Sequence, residues 1–397
     1  MHSPRTPLRM ALLVSALALV ALTPASSQDG ASRAGAPVQT DSYGVLYDFA
    51  GAPDDGGLPR AGVTLDAAGN IYGTTFTGGT GDHGAIFKLA PDGTETVLHS
   101  FGGADGSYPE GAVALLGTTN TIYGTTNMGG SAGHGVLYRL TAAGQFTKLH
   151  DFTNDGSGPN GRLIRDKPGN LYGTTTFGGA NGHGTVFKYG IDKTFTVLHA
   201  FNGTDGDAPQ GGVIRDTGGN LFGVTASGGA NSLGTVYEIA ADGTFSTLYS
   251  FTGGADGYLL YGALALDPAT GDLFGSTYKG GATGNGTVFK LTLAGTLTTL
   301  YSFKGGKDGS GPIGDMVRVG ATLYSTANDG GDPTCRCGVF YLINTSGKEK
   351  VLHAFTGASG GSYSAGPVWV AKDLSFFGTT SFYGANKKGV VWTSKRS

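Results

Sequence analysis

A four-residue phrase recurs seven times along this chain and constrains its fold more than any other feature. Tyr72-Gly73-Thr74-Thr75 returns as Tyr123-Gly124-Thr125-Thr126, Tyr172-Gly173-Thr174-Thr175, Phe222-Gly223-Val224-Thr225, Phe274-Gly275-Ser276-Thr277, Tyr324-Ser325-Thr326-Ala327 and Phe377-Gly378-Thr379-Thr380, at steps of 51, 49, 50, 52, 50 and 53 residues. A period near fifty makes each copy one supersecondary unit that buries its faces only against its neighbours.

Each copy reads as four short strands. In the third, strand a covers 161–166, strand b 170–175, strand c 184–189 and strand d 196–201, with Lys167-Pro168-Gly169 and the glycine-rich stretch 177–183 turning the chain between them. The segments are rich in β-branched and aromatic residues, with turn residues at each boundary. Beyond the N-terminus no segment has a helical apolar period. Three aromatic positions recur in every copy, as Phe152, Tyr172 and Phe187 do, and such regular filling predicts packing between sheets.

The two ends choose a closed ring over an open array. The first repeat-like segment, 44–49, is a lone strand d, and the last copy supplies a, b and c (366–371, 376–380, 389–392) and then stops. The N-terminal strand therefore completes the C-terminal blade, which leaves no edge to cap. The expectation is an all-β fold over 41–397: a seven-bladed β-propeller of four-stranded blades, and a monomer.

Residues 1–27 carry a secretory signal: Arg5 and Arg9, an apolar run from Met10 to Leu22, and the small residues Ala25-Ser26-Ser27. That run is too short to span a bilayer. Residues 28–40 read as a flexible leader. A formal net charge of −3 without a basic patch argues against nucleic acid as a partner. No later stretch reads as a membrane span. The protein is expected to be secreted or periplasmic.

The Tyr-Gly-Thr-Thr, Gly-Gly-x-x-x-x-Gly-Thr-Val-Phe-Lys-Leu and Leu-His-x-Phe phrases over about 43–393 resemble those of the GloVer tandem-repeat family of exported "choice-of-anchor" bacterial proteins. The resemblance implies a secreted or surface propeller and brings no established activity or catalytic residue. The chain departs from the family's habit in showing no C-terminal anchor.

In a propeller the d–a and b–c loops share one face, and here they are the longer loops, so a ligand site is expected around the channel mouth on that side. Just before strand a each copy holds a slot that differs: Arg60, Glu110, Asn160, Gln210, Tyr261, Ile313 and Ala365. A repeated scaffold with a varying ring suits an asymmetric ligand. Arg60, Glu110, Asn160, Gln210 and Tyr261 are the candidate contacts, with Tyr258 as a further stacking ring for a sugar and Asp315 just inside strand a.

Other motifs carry blander readings. Asp-Gly at 55–56, 105–106, 155–156, 205–206, 256–257 and 308–309 suits Asx turns, and Ser359-Gly360 replaces it in the seventh loop. Carboxylates ringing a calcium ion, the one cofactor considered, are the alternative. His83, His134 and His183 recur in three b–c loops and read as solvent-facing. The Leu-His-x-Phe histidines, with tyrosine alternates, read as structural. Cys335-Arg336-Cys337 suggests a local disulfide in an exported protein. The function expected is binding of an extracellular glycan or protein partner. The alternatives are a polysaccharide lyase or glycosidase at the channel mouth, with Glu110 and Asp315 as its two carboxylates, and a structural surface component.

Overall fold

The computed structural model describes residues 40–358, 360–364 and 366–396. The signal segment, the leader up to residue 39, Ser359 and Ala365 lie outside the described residues. The chain forms seven antiparallel sheets around an axis, a seven-bladed β-propeller. Blade 1 runs Thr64–Leu65, Ile71–Thr75, Ala85–Leu89 and Glu95–Ser100 as strands a to d, and blades 2 to 5 repeat that order. Blade 6 gains a fifth strand, Ser310–Pro312, against the far end of its long strand b, Thr322–Asp329. Blade 7 takes strands a to c from Trp369–Val370, Phe376–Thr380 and Val390–Arg396, and strand d from Thr40–Asp48. The closing register pairs Thr40 with Arg396, Val45 with Trp392 and Asp48 with Val390. Thr40, assigned to the leader by composition, is thus the first residue of the closing strand, because Arg396 gives it a partner.

The repeated phrase has a physical meaning at each letter. The glycine lets the aromatic of strand c lie flat across strand b: a Cβ on Gly73 would stand 2.7 Å from Phe87 Cζ, and Gly173 meets Phe187 in the same way. In blade 6 Ser325 replaces that glycine and donates its hydroxyl to Gly314 O at 3.0 Å. The first threonine reaches the next blade: Thr174 Oγ1 donates to Gly211 O at 3.1 Å, and Thr379 Oγ1 to Ala61 O at 2.7 Å across the ring closure. The second threonine bonds within the blade, as Thr175 does to Thr185 at 2.8 Å.

The Leu-His phrase marks a β-bulge. In each blade the c–d ladder slips one residue next to the strand-c aromatic, leaving Leu98, Leu149, Leu198, Leu248, Leu300, Leu352 and Leu46 as the extra residue of strand d. The bulge bends the outer strand and adds to the blade's twist. The core lies between blades: Phe101, Tyr138 and Val113 form one cluster, and Phe355, Phe376 and Trp392 another at the closure. Of the recurrent aromatics, Tyr123 and Phe377 are partly buried and the rest are buried. Each fully buried ring contributes roughly 1.5–3 kcal/mol relative to an exposed one.

Strand a is shorter than its sequence suggests. Ile164–Arg165 alone pairs with strand b, where the spacing predicts 161–166. The residues ahead of it leave the ladder because they pack edge-on against the next blade around the axis.

Candidate ligand site at the channel mouth

The mouth is built by a clamp repeated in every blade. Two residues before each varying slot the backbone turns left-handed, at Leu58 (φ 53°), Tyr108 (56°), Ala208 (53°), Leu259 (61°) and Tyr363 (56°), with Gly158 and Gly311 in the other two loops. A positive φ costs a non-glycine residue of order 1–3 kcal/mol and persists where the surroundings impose it. Here two neighbours do so. The Tyr108 amide donates to His83 O of the preceding blade at 2.8 Å, and Tyr108 O accepts from the Asn127 amide of its own blade at 3.1 Å. The same pair of bonds holds Leu58, Ala208, Leu259 and Tyr363. The chain is thereby turned toward the axis, and the next residue but one points its side chain into the channel.

One residue further on, glycine sets the width of the channel. A Cβ on Gly161 would lie 2.7 Å from Gly212 N, one on Gly111 2.8 Å from Gly161 O, and one on Gly262 would overlap Gly314 O. Gly366 abuts Ala61 and Gly62 across the ring closure. Adjacent blades therefore touch main chain to main chain at the axis. The channel narrows from an open mouth of ≈ 460 Å³ to a more enclosed neck of ≈ 80 Å³.

Arg60, Glu110, Asn160, Gln210, Tyr261 and Ile313 line both spaces, Tyr278 and Asn328 join them at the mouth, and Arg162 and Asp315 at the neck. The four charged side chains form two pairs. Arg60 Nη1 donates to Glu110 Oε1 at 2.6 Å while its guanidinium lies 3.6 Å over the Phe76 ring. Glu110 Oε2 accepts from Asn127 Nδ2 at 3.2 Å, and Asn127 also donates to Asn160 Oδ1. At the neck Arg162 Nε stands 4.0 Å from Asp315 Oδ2, and Asp315 Oδ1 accepts from the Ala263 amide at 2.8 Å. Opposite the amide side, Tyr261 meets Tyr278 edge-to-face at 5.5 Å. Burial, and secondarily Tyr278, raises the Tyr261 phenol above its ordinary value.

A family model of the Gloeobacter/Verrucomicrobia repeat matches residues 21–218, 153–335 and 192–392. The chain belongs to this repeat family. No protein of curated function matches its sequence. Among solved structures, a protein described as the extracellular domain of a one-component system from B. thetaiotaomicron is similar at a TM-score of 0.56 and 9% identity, covering 89% of this chain. This chain spans only 40% of that protein. Oligogalacturonate lyase from Vibrio parahaemolyticus is similar at a TM-score of 0.55 and 10% identity, over 93% of this chain and 98% of the lyase. Identities this low establish the shared propeller and nothing of its chemistry.

In this Gloeobacter/Verrucomicrobia repeat protein the structure gathers Arg60, Glu110, Asn160, Gln210, Tyr261 and Asp315 around one channel. Tyr258 is not among the channel-lining residues: it sits farther out along its loop, its amide donating to Lys279 O at 2.9 Å. Sequence reasoning missed a second varying ring, the residue after the Thr-Thr phrase: Phe76, Asn127, Thr176, Ala226, Tyr278, Asn328 and Ser381. Its signal was blade-to-blade variation directly after a constant strand.

The Asp-Gly carboxylates face the outer rim, where each clasps its own loop to strand d. Asp155 accepts from the Thr153 amide at 2.9 Å and bonds His150 Nε2 at 2.7 Å; Asp105 and Asp205 hold His99 and His199 likewise. Asp55, Asp256 and Asp308 accept instead from Tyr47, Tyr249 and Tyr301. Among the described residues no three His, Cys, Asp or Glu side chains are grouped to hold a metal ion. The three b–c histidines are partly exposed, and two of them bond neighbouring loops: His134 Nδ1 bonds Thr153 O at 3.1 Å and His183 Nδ1 bonds Asp207 Oδ1 at 2.9 Å. Cys335 and Cys337 are bonded to each other, with Cys337 buried against the seventh d–a loop. No helix among the described residues is long and apolar enough to cross a membrane.

Proposed function

We propose that this propeller binds a neutral, hydroxyl-rich glycan at its channel mouth. The observation that carries the reading is the internal pairing of the charges. Arg60 is held by Glu110 and Arg162 lies beside Asp315, so the lining charges cancel pairwise. An anionic ligand would find both guanidiniums already engaged. What the mouth offers instead is amides at Asn160, Gln210 and Asn328, carboxylate lone pairs, and the rings of Tyr261 and Tyr278. A sugar hydroxyl donates and accepts at once, which suits side chains that already share hydrogen bonds, and the apolar face of a pyranose suits an aromatic ring. The mouth is also of the size usual for small-ligand sites.

The arrangement favours binding over hydrolysis. Glu110 is held in place by hydrogen bonds from Arg60 and Asn127, as a positioned contact would be. We infer further that the protein is exported and meets its glycan outside the cytoplasm, on the strength of the N-terminal charge and apolar pattern.

The test is a glycan array probed with the purified chain, run with reducing-sugar release as a second readout. Binding to neutral glycans, weakened by Tyr261→Ala and Gln210→Ala without sugar release, is the expected result. Sugar release lost in Glu110→Gln would replace this reading with the enzyme, and capture of uronates alone would refute the neutral class.

A further inference from the structure

Blade 7 stands apart from the rest of the mouth face. The side chains that line the mouth come from blades 1 to 6, and none of the described residues of blade 7 joins them. Its two positions in the varying rings are Ala365 and Ser381, where other blades hold residues as large as Arg60, Tyr261 and Tyr278. Ser381 is buried, and its hydroxyl donates to Pro59 O of the next blade at 2.9 Å. The wall of the mouth is therefore lowest on this side.

Beside Ser381 three aromatic rings reach into solvent. Tyr363, Phe382 and Tyr383 are 38%, 40% and 43% exposed. Tyr363 is the clamp residue of this blade, and its counterparts in the other six are buried or half-buried. Phe382 follows Ser381 directly and meets Tyr363 edge-to-face at 5.5 Å. Tyr383 stands where the other blades carry glycine: Gly78, Gly129, Gly178, Gly228, Gly280 and Gly330 hold φ between 75° and 88°, and Tyr383 holds 62°. That conformation disfavours any residue with a Cβ. In the other blades a Cβ would also strike the d–a loop, 2.4 Å from Asp55 O at Gly78 and 2.8 Å from Gly156 C at Gly178. The seventh loop, without the Asp-Gly turn, admits one. Packing does not account for the tyrosine, since its ring is exposed, and backbone strain kept for an exposed side chain points to use.

The rings stand on fixed backbone. The Tyr363 amide donates to Cys337 O at 3.0 Å and Tyr363 O accepts from the Ser381 amide at 3.1 Å. Ser362 and Phe382 exchange two main-chain bonds, at 2.9 and 3.2 Å, and Tyr383 O accepts from the Gly389 amide at 2.9 Å. A ligand resting here has little chain to order. The area selects its kind. With about 40% of each side chain exposed, the three offer roughly 250 Å². That is about a third of the ~800 Å² that each side of a stable protein interface buries. Aromatic faces of this extent, continuous with the low side of the mouth, suit the apolar face of a sugar ring.

We propose that this shelf is a second saccharide subsite: an oligosaccharide held in the mouth leaves it over blade 7 and lays a further pyranose on Phe382 and Tyr383. This rests on the glycan reading above and adds the path of the ligand and a preference for longer chains. Phe382 and Tyr383 are then specificity-determining residues, with Tyr363 backing Phe382.

The experiment is titration calorimetry with neutral glucans and mannans of increasing length, from disaccharide to hexasaccharide, on the parent and on a double variant, Phe382→Ala with Tyr383→Gly. The second change restores the scaffold's own residue, so the ring should remain intact, as its melting temperature will show. The parent is expected to gain affinity with length. The double variant should lose that gain, binding the hexasaccharide roughly tenfold more weakly than the parent does and the disaccharide alike. A gain with length that survives in the folded variant, or no gain in the parent, overturns the inference and leaves the glycan reading standing. If no neutral saccharide of any length binds the parent, the underlying reading fails and the inference with it. Self-association of the free parent in analytical ultracentrifugation, abolished in the variant, would assign the shelf to a second copy of the chain and also overturn the inference. Should the double variant fail to fold, Tyr383→Gly alone decides by the same length series.

Discussion

Two positions one residue apart obey opposite rules. The slot at Arg60, Glu110, Asn160, Gln210, Tyr261 and Ile313 changes in every blade, while the residue directly after it is Gly111, Gly161, Gly211, Gly262 or Gly314, and Ala61 in the first blade. The first points into the channel; the second, at Gly111, Gly161, Gly211 and Gly262, faces the backbone of the next blade. Variation is wide where a side chain meets open space and confined to glycine or alanine where it would push neighbouring main chains apart. Position in the fold thus separates scaffold from site more finely than distance from the axis does.

The comparison is broken most severely at the glycines. Gly262→Ala sets a Cβ against the Gly314 carbonyl, and thermal unfolding should show a loss of about 3 kcal/mol or more. A loss below about 1 kcal/mol would mean that the blades can shift outward and that the throat is not fixed by backbone contact. As a control, Gly93→Ala, in a c–d turn with φ +87° and nothing within 4 Å, should cost only about 1 kcal/mol.

The rim lies between these extremes. Asp155→Ala removes the acceptor from His150 and from the Thr153 amide, and urea titration should register about 1–2 kcal/mol. His150 also stacks on Phe195 at 3.7 Å, which limits the damage. Glycan binding should be unaffected, because no channel residue is touched.

A smaller effect is tied to pH. Glu95 sits where blade 7 meets blade 1, and burial, then the neighbouring Asp55 carboxylate, pushes its acid up to about 7. The folded state therefore holds this proton more tightly than the unfolded state does. Its contribution is fully present below the unfolded value near 4.5 and is lost as pH rises through about 7. Glu95→Gln should melt higher than the parent at pH 8, by about 1–2 °C, and no higher at pH 4. An equal gain at both values would exclude titration as the cause. Smallest of all, in stability, is Tyr261→Ala, which should leave the melting temperature within about 1 °C while weakening glycan binding roughly tenfold.

The architecture was legible because every blade repeats the same packing problem and solves it with the same letters. The unpaired strand at 44–49 and the missing strand after 389–392 announced the closure. The varying slot was legible for the same reason, standing out against constant flanks. Strand a came out short because pairing propensity carries no information about the neighbouring blade that competes for those residues. The ring at Phe76, Asn127 and Tyr278 was overlooked since it follows a strand directly and reads as its continuation. Pairings such as Arg60 with Glu110, fifty residues apart, depend on which blades are adjacent in space and on rotamers that no spacing encodes.

The closing strand has a bearing on how such a chain is made. Thr40–Asp48 leaves the ribosome ahead of the other six blades, and its partner Val390–Arg396 only after them. Until then that strand has no ladder to join, and six blades stand as an incomplete arc with open edges. Pairing these two strands is therefore the step that closes the ring. Without Val390–Arg396 the chain would lose more than one strand: Thr40–Asp48 would be left without a partner.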